Sequence, residues 1–256
     1  MSLQIGQALR SGLDSLLSRT GAILLAAYIA LMAGLLPLSN TMVVRLYEQA
    51  GLTEAGEAIP LVLDVPLSVA AGGYLLGSLA GAYLSVVATR TFVTGDGGQF
   101  PSGAFTRNVP LALVNVIVGG LVYSLLIGLG TIALVVPGII AYVAFLFMLP
   151  YIAVEDRNFV AALRASYRLS KGNWIMLFVL VVIAVSAAGL LGGVGGLVSS
   201  LLLPPVVGQL VIAVVTAPGS LFSLAVIAAA FEQLRDAERD GPVGSAPTGE
   251  TPSTPA

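Results

Sequence analysis

The chain has 256 residues, 57% of them hydrophobic and only 9% charged, with a formal net charge of −2. Soluble domains carry about 25% charged residues, so this composition excludes an ordinary water-soluble globule, and the charge leaves no footprint for nucleic acid. With no Cys and no His, disulfides, thiol nucleophiles, imidazole bases and the usual zinc or haem ligands are excluded, leaving only a carboxylate metal site conceivable in principle.

Residues 1–19, MSLQIGQALRSGLDSLLSR, are too polar to span a bilayer. At 100° per residue Ile5, Ala8, Leu9, Gly12, Leu13 and Leu16 share one side, while Gln4, Gln7, Arg10, Ser11, Asp14, Ser15 and Ser18 share the other. That pattern predicts an amphipathic helix lying in the interface or against a bundle. A signal peptide is disfavoured, because the next apolar run is span-length and starts only at residue 20.

Six apolar spans follow, at 20–38, 65–89, 109–134, 139–154, 175–203 and 206–231. Such runs, nearly free of charge, mark transmembrane helices. The third and fourth form one continuous apolar run over 109–154, more than twice what a ~30 Å hydrocarbon core requires at 1.5 Å per residue. It folds back once, either at Gly128-Leu129-Gly130 or at Pro137-Gly138. The second is favoured because odd-numbered spans end at prolines, Pro37, Pro137 and Pro204–Pro205, and proline interrupts helical hydrogen bonding. A faint repeat relates ALRSGLDSLLSRTGAILL (8–25) to ALRASYRLSKGNWIMLF (162–178), with GAFTRNVPLALV (103–114) as a weaker copy. The predicted fold is all-α: a polytopic membrane protein with six transmembrane helices in three hairpins, each entered through a basic segment.

Segments 1–19, 90–108, 155–174 and 232–256 lie on one side of this layout. They hold Arg10, Arg19, Arg90, Arg107, Arg157, Arg164, Arg168, Lys171, Arg235 and Arg239, while the other side has only Arg45. The positive-inside rule then places both termini in the cytoplasm of a cell whose cytoplasmic membrane holds the protein. Lys171 is the one Lys among the 11 basic residues, which fits a halophile's proteome or, equally, a GC-rich genome. The outer loop 40–60 is acidic, through Glu48, Glu54 and Glu57. Residues 232–256 read as a charged helix end followed, from Gly241, by a disordered tail rich in Pro, Gly, Ser and Thr.

The most charged stretch is EDRNFVAALRASYRLSKGNW (155–174). On a helix numbered from Phe159, Phe159, Leu163, Ser166, Tyr167 and Leu169 spread over one face. Arg157, Arg164, Arg168 and Lys171 form a stripe on the other. The plain reading is an interface helix whose cations meet lipid headgroups, each worth about 1 kcal/mol near an anionic surface; the sharper one is docking of an acidic partner or a phosphorylated ligand. Trp174 stands where an aromatic-belt residue would.

Small residues recur at four-residue spacing, among them Gly73, Gly77 and Gly81, then Gly120 and Gly128, then Gly192 and Gly196. Close helix packing explains such rows, with a glycine-lined path as the functional alternative. No ionisable residue falls at a span centre; Asn115 and Gln209 are the notable intramembrane polar residues, and interhelical hydrogen bonds account for them. GDGG at 95–98 lacks the lysine and the strand–helix context of a phosphate loop and reads as a turn. No carboxylate pair has a base, nucleophile or metal partner. No catalytic residue, metal ligand or cofactor site is therefore expected.

The block from Pro137 to Phe178, PGIIAYVAFLFMLPYIAVEDRNFVAALRASYRLSKGNWIMLF, resembles a broad family of bacterial and archaeal integral membrane proteins. That family includes the membrane domain of glycerophosphoryl diester phosphodiesterases. The pattern is carried by Pro137, Gly138, Ile139, Glu155, Ala162, Leu163, Ser166, Leu169 and Gly172. The resemblance covers about forty residues clearly and the rest by topology alone. It implies a stand-alone membrane domain without phosphodiesterase activity, because catalysis in that family belongs to a separate soluble domain, and here only a short tail is expected after the last span. Sequence and resemblance together lead to the expectation of a non-enzymatic accessory or scaffold protein that contacts membrane lipids, or another membrane or cytoplasmic protein, through the basic helix. The alternative is a transporter or channel for a small uncharged solute. A cavity lined by Asn115, Gln209 and tyrosines would favour transport, and a solid bundle with the basic stripe exposed would favour the scaffold.

Overall fold

A computed structural model describes residues 3–95 and 97–239. The described residues form ten helices and no strand: α1 (Ile5–Leu17), α2 (Arg19–Gln49), α3 (Thr53–Glu57), α4 (Leu67–Thr94), α5 (Val109–Ala133), α6 (Val135–Ala144), α7 (Met148–Glu155), α8 (Phe159–Ser170), α9 (Trp174–Leu202) and α10 (Pro205–Arg239). Six stretches are long and apolar enough to cross a membrane: α2, α4, α5, α6 with α7, α9 and α10. The protein is an all-α polytopic membrane protein. The predicted disordered tail and Asp96 of the GDGG turn lie outside the described residues.

Glycine rows close the hairpins, though only some of the expected ones. A Cβ built on Gly73 or Gly77 of α4 would stand 3.1 Å from Leu38 Cδ2 or 2.5 Å from Leu35 Cδ2 of α2, and one on Gly81 would touch Leu31. These are sites of close helix approach. Gly192 of α9 meets Thr216 of α10, and Gly219 of α10 admits Ala188 of α9, whose Cβ would be 2.6 Å from an added methyl. Gly120, Gly128 and Gly196 have no neighbouring atom within 4 Å of such a Cβ. They are not packing positions in this fold, and the regular spacing overstated the contact. The α5/α6 turn is closed instead by Gly130 against the backbone of Gly138.

Three sequence boundaries need correction. The first span does not end at residue 38: α2 runs through Pro37 to Gln49. Proline is tolerated in membrane helices where neighbouring groups take up the freed backbone positions. Beyond Pro37 the helix has a reason to continue. Thr41 Oγ1 donates to Pro37 O at 2.7 Å and accepts from Leu63 N–H at 2.8 Å, fastening the loop that leads into α4. The hairpin turn after α5 lies at neither candidate site but at extended Leu134, and Pro137 occupies the first turn of α6, where its missing N–H costs nothing.

The fourth span, expected as one helix over 139–154, is broken. Its halves, α6 and α7, are separated by Phe145–Phe147. Pro150 sits in the first turn of α7, so α7 starts where proline permits. A helix break inside an apolar environment leaves backbone groups that must be satisfied by protein. Here α8 satisfies them. Ser166 Oγ accepts from Phe147 N–H and donates to Ala144 O, each at 3.0 Å. Ser170 Oγ lies 3.3 Å from both Val143 O and Ala144 O.

The buried core concentrates at one end of the bundle. It comprises Val86–Ala88, Phe92 and Val93 of α4, Phe147–Ala153 around α7, Leu177 and Leu180 of α9, and Ala225–Phe231 of α10, with Leu149 and Ile227 only partly buried. Phe147 and Tyr151 both pack on the Phe231 ring, at 5.9 and 4.9 Å between centroids. α1 also docks at this end. Ala8 and Gly12 are buried, and Gly12 lies so close to Val226 of α10 that an added Cβ would meet its Cγ2 at 2.6 Å.

Candidate membrane-surface site

Four segments gather at this packed end: α1, the loop 97–108, the α7–α8 connection with α8, and the end of α10. Gln4 N–H donates to Gln233 Oε1 at 3.1 Å, and Thr20 N–H to Gly97 O at 3.3 Å. The two ion-pair sets described next join the rest. Seven of the ten basic residues expected on one side fall into two kinds; the other three, Arg10 of α1, Arg19 of α2 and Arg239 of α10, are exposed.

The first kind is structural. Arg90, at the end of α4, is 3% exposed. Its Nε donates to Ala153 O at 2.7 Å, Nη1 donates to Ala104 O at 3.2 Å, and Nη2 lies 3.6 Å from Asp156 Oδ1. Arg107 reaches the same carboxylate, Nε to Oδ2 at 3.1 Å, and donates to the carbonyls of Ala153 and Val154. Asp156 thus balances two guanidinium groups. It caps α7 with a left-handed φ of 53°, a conformation Asp adopts more readily than most residues. Glu155 next to it takes Arg157 at 2.7 Å and Arg235 of α10 at 3.9 Å. Both guanidinium groups also lie over rings, Arg157 on Tyr151 and Arg235 on Phe231. Adjacent acids at the end of α7 therefore tie together α4, the loop 97–108 and α10.

Arg157 accordingly does not belong to the predicted stripe. It precedes the Asn158 cap of α8, whose side chain accepts from Ala161 N–H at 2.9 Å, and it is folded back on Glu155.

The second kind is free. Arg164, Arg168 and Lys171 are exposed, and none forms an ion pair with a described residue. Beneath them Ala162, Ala165, Ser166, Leu169 and Ser170 are buried against the α6–α7 break. Arg164 and Arg168 are one turn apart and so lie side by side. Lys171 follows as the C-cap, and Gly172 with φ +91° turns the chain into α9 at a conformation that suits only glycine. No acid on the same helix faces these cations.

The intramembrane polar residues are separated. Asn115 is buried in α5. Its Nδ2 donates to Leu111 O and its Oδ1 accepts from Phe159 N–H at 2.9 Å, holding the start of α8. Gln209 is at the opposite end, where its Oε1 accepts from Asn40 Nδ2 at 2.8 Å. It borders an open pocket of about 320 Å³ with Ser199, Ser200, Pro60 and Ile212. The two do not line one cavity. At that opposite end Arg45 is committed to Glu48 and Asp64, at 3.0 and 3.1 Å. Among the described residues no group of three or more acids gathers as a metal site.

The anchoring roles of Arg90, Arg107 and Asp156 escape a sequence reading. Each is a single charged residue at a span edge, where topology alone accounts for it. Ala162, Ser166 and Leu169 are buried in the α8 seam, and Gly138 packs on the α5 turn.

Fold and surface together define the chain as a multi-pass helical membrane protein with a basic, packed end. A family model matches residues 3–234, nearly the whole described length. The chain belongs to that family, described as a domain of unknown function, DUF7847. No curated protein and no solved structure matches it.

Proposed function

We propose that this protein is a non-enzymatic, membrane-embedded accessory or scaffold whose basic end faces the cytoplasm and engages anionic headgroups or a partner through α8. The observation that carries this reading is the division of the cations. Arg90, Arg107, Arg157 and Arg235 are consumed by Glu155 and Asp156, while Arg164, Arg168 and Lys171 stand exposed without acids. Packing needs the first set and has no use for the second. Three free cations near an anionic surface contribute about 1 kcal/mol each. The charge asymmetry supports cytoplasmic termini by the positive-inside rule. The expected likeness to the phosphodiesterase membrane domain fits the same reading, because Ala162, Ser166 and Leu169, which carry part of it, are buried in the α8 seam, a packing module rather than a reaction site.

The test places a photo-crosslinking amino acid at position 164 in native membranes and identifies the adducts. A lipid or a stoichiometric protein adduct, lost on combined Arg168→Ala and Lys171→Ala substitution with the melting temperature unchanged, is the expected result. Unchanged association in that variant overturns the reading.

A second reading, a facilitator for a small uncharged solute, rests on the pocket beside Gln209, which no charged residue lines. Liposome flux of neutral solutes, altered by Gln209→Leu, would favour it.

A further inference from the structure

Next to the free cations the structure has an apolar groove. Ile139, Ile140 and Val143 of α6 form one wall and Trp174, Ile175 and Phe178 of α9 the other, around about 230 Å³. Its rims are exposed, Ile175 at 81%, and its lining is hydrocarbon apart from the indole. Trp174 is fixed by an edge-on contact with Tyr167 of α8, 5.9 Å between ring centroids, so the C-terminal turn of α8 adjoins the groove mouth. Lys171 lies three residues before Trp174 and Arg168 six.

We infer that this groove holds one acyl chain of a phospholipid with a net-negative headgroup, the headgroup resting on Arg168 and Lys171. The inference rests on the reading of those cations as free binding groups and names their ligand. Charge complementarity selects the occupant. Arg168 and Lys171, exposed and without an ion pair, belong to the end of α8 that meets Trp174 through Tyr167, and the slot itself offers no hydrogen-bonding side chain except the Trp174 indole. That indole Nε1–H is shielded and has no acceptor. Tryptophan at the headgroup level is the usual membrane anchor, but here it also forms one wall of a defined slot.

The chain contains a single Trp, so its fluorescence reports this groove alone. The experiment reconstitutes the full chain in phosphatidylcholine vesicles doped, at equal mole fraction, with phosphatidylglycerol or phosphatidylcholine carrying brominated acyl chains. Brominated phosphatidylglycerol is expected to quench Trp174 several-fold more strongly, with saturation at low mole fraction. Arg168→Ala with Lys171→Ala should abolish that preference, and Arg164→Ala, one turn further from the mouth, should largely keep it. Equal quenching by both lipids means contact with bulk bilayer only and overturns the proposal. So does a preference that survives the double substitution. Absence of quenching by either lipid means that protein covers the groove, and also overturns it. In either of the last two cases crosslinking at position 164 can still succeed, so failure of this site is distinguishable from failure of the scaffold reading.

Discussion

The two ends of the bundle are built differently from similar residues. At the basic end α4, α7, α8 and α10 interlock around Phe147, Tyr151 and Phe231, and charged groups are drawn inside, Arg90 among them. At the other end α5 and α9 carry equally apolar sequence but leave it uncovered: Leu125 is 60% exposed, Ile132 84% and Leu201 79%. In water such surfaces would mark interaction sites; in a bilayer they face hydrocarbon. Apolar residues alone therefore do not produce a core in this protein. Packing density follows where polar groups fix geometry, with Asp156 and Glu155 drawing in three segments and Ser166 and Ser170 capping a broken helix. The end so organised is also the end that presents unmatched charge.

Breaking that organisation should be most costly at Asp156. Asp156→Ala leaves Arg90 buried without its counter-ion, a loss of about 3–5 kcal/mol for breaking a buried pair, reduced because the Asp side chain is 27% exposed. Unfolding in detergent should show a far larger shift than Arg45→Ala, which removes the ion pairs of the opposite end. Next in size is Gly12→Ala, which drives a methyl group into Val226 and should cost about 1–3 kcal/mol by overpacking. Ser166→Ala should also cost about 1–3 kcal/mol, because Phe147 N–H loses its acceptor inside the protein. Amide exchange at Phe147 and its neighbours would show the break loosening before the rest of α7. At the open end the sign reverses. Gly196→Ala meets no atom and should stabilise α9 by up to about 1 kcal/mol.

The spans were readable because runs of apolar residues have few alternatives in lipid. Their ends were less so, and proline shows why. Pro37 and Pro218 lie inside helices, Pro137 and Pro150 in first turns, and Pro205 opens α10. The residue is the same but its place in a helix differs, and one break arises between helices without a proline at its centre, where a neighbouring element takes up the open backbone groups. At Phe145–Phe147 that neighbour is α8, about twenty residues further on, so no local window contains the reason for the break. The basic stripe was half legible for a related reason. Helical periodicity places Arg164 and Arg168 together, but Arg157 lies before the cap, where Glu155 claims it. Glycine spacing, likewise, identifies Gly73, Gly77, Gly81 and Gly192 as contacts but cannot tell a helix face turned to a neighbour from one turned to lipid, as at Gly120, Gly128 and Gly196.

The division of cations into anchoring and free sets is tested most directly by one variant, Arg164→Ala with Arg168→Ala and Lys171→Ala. Its melting midpoint and its co-purifying lipids and proteins would be measured together, by native mass spectrometry after mild extraction. The account predicts an unchanged midpoint with loss of bound anionic lipid or partner. A lowered midpoint, or full retention of everything the unmodified protein carries, would contradict it.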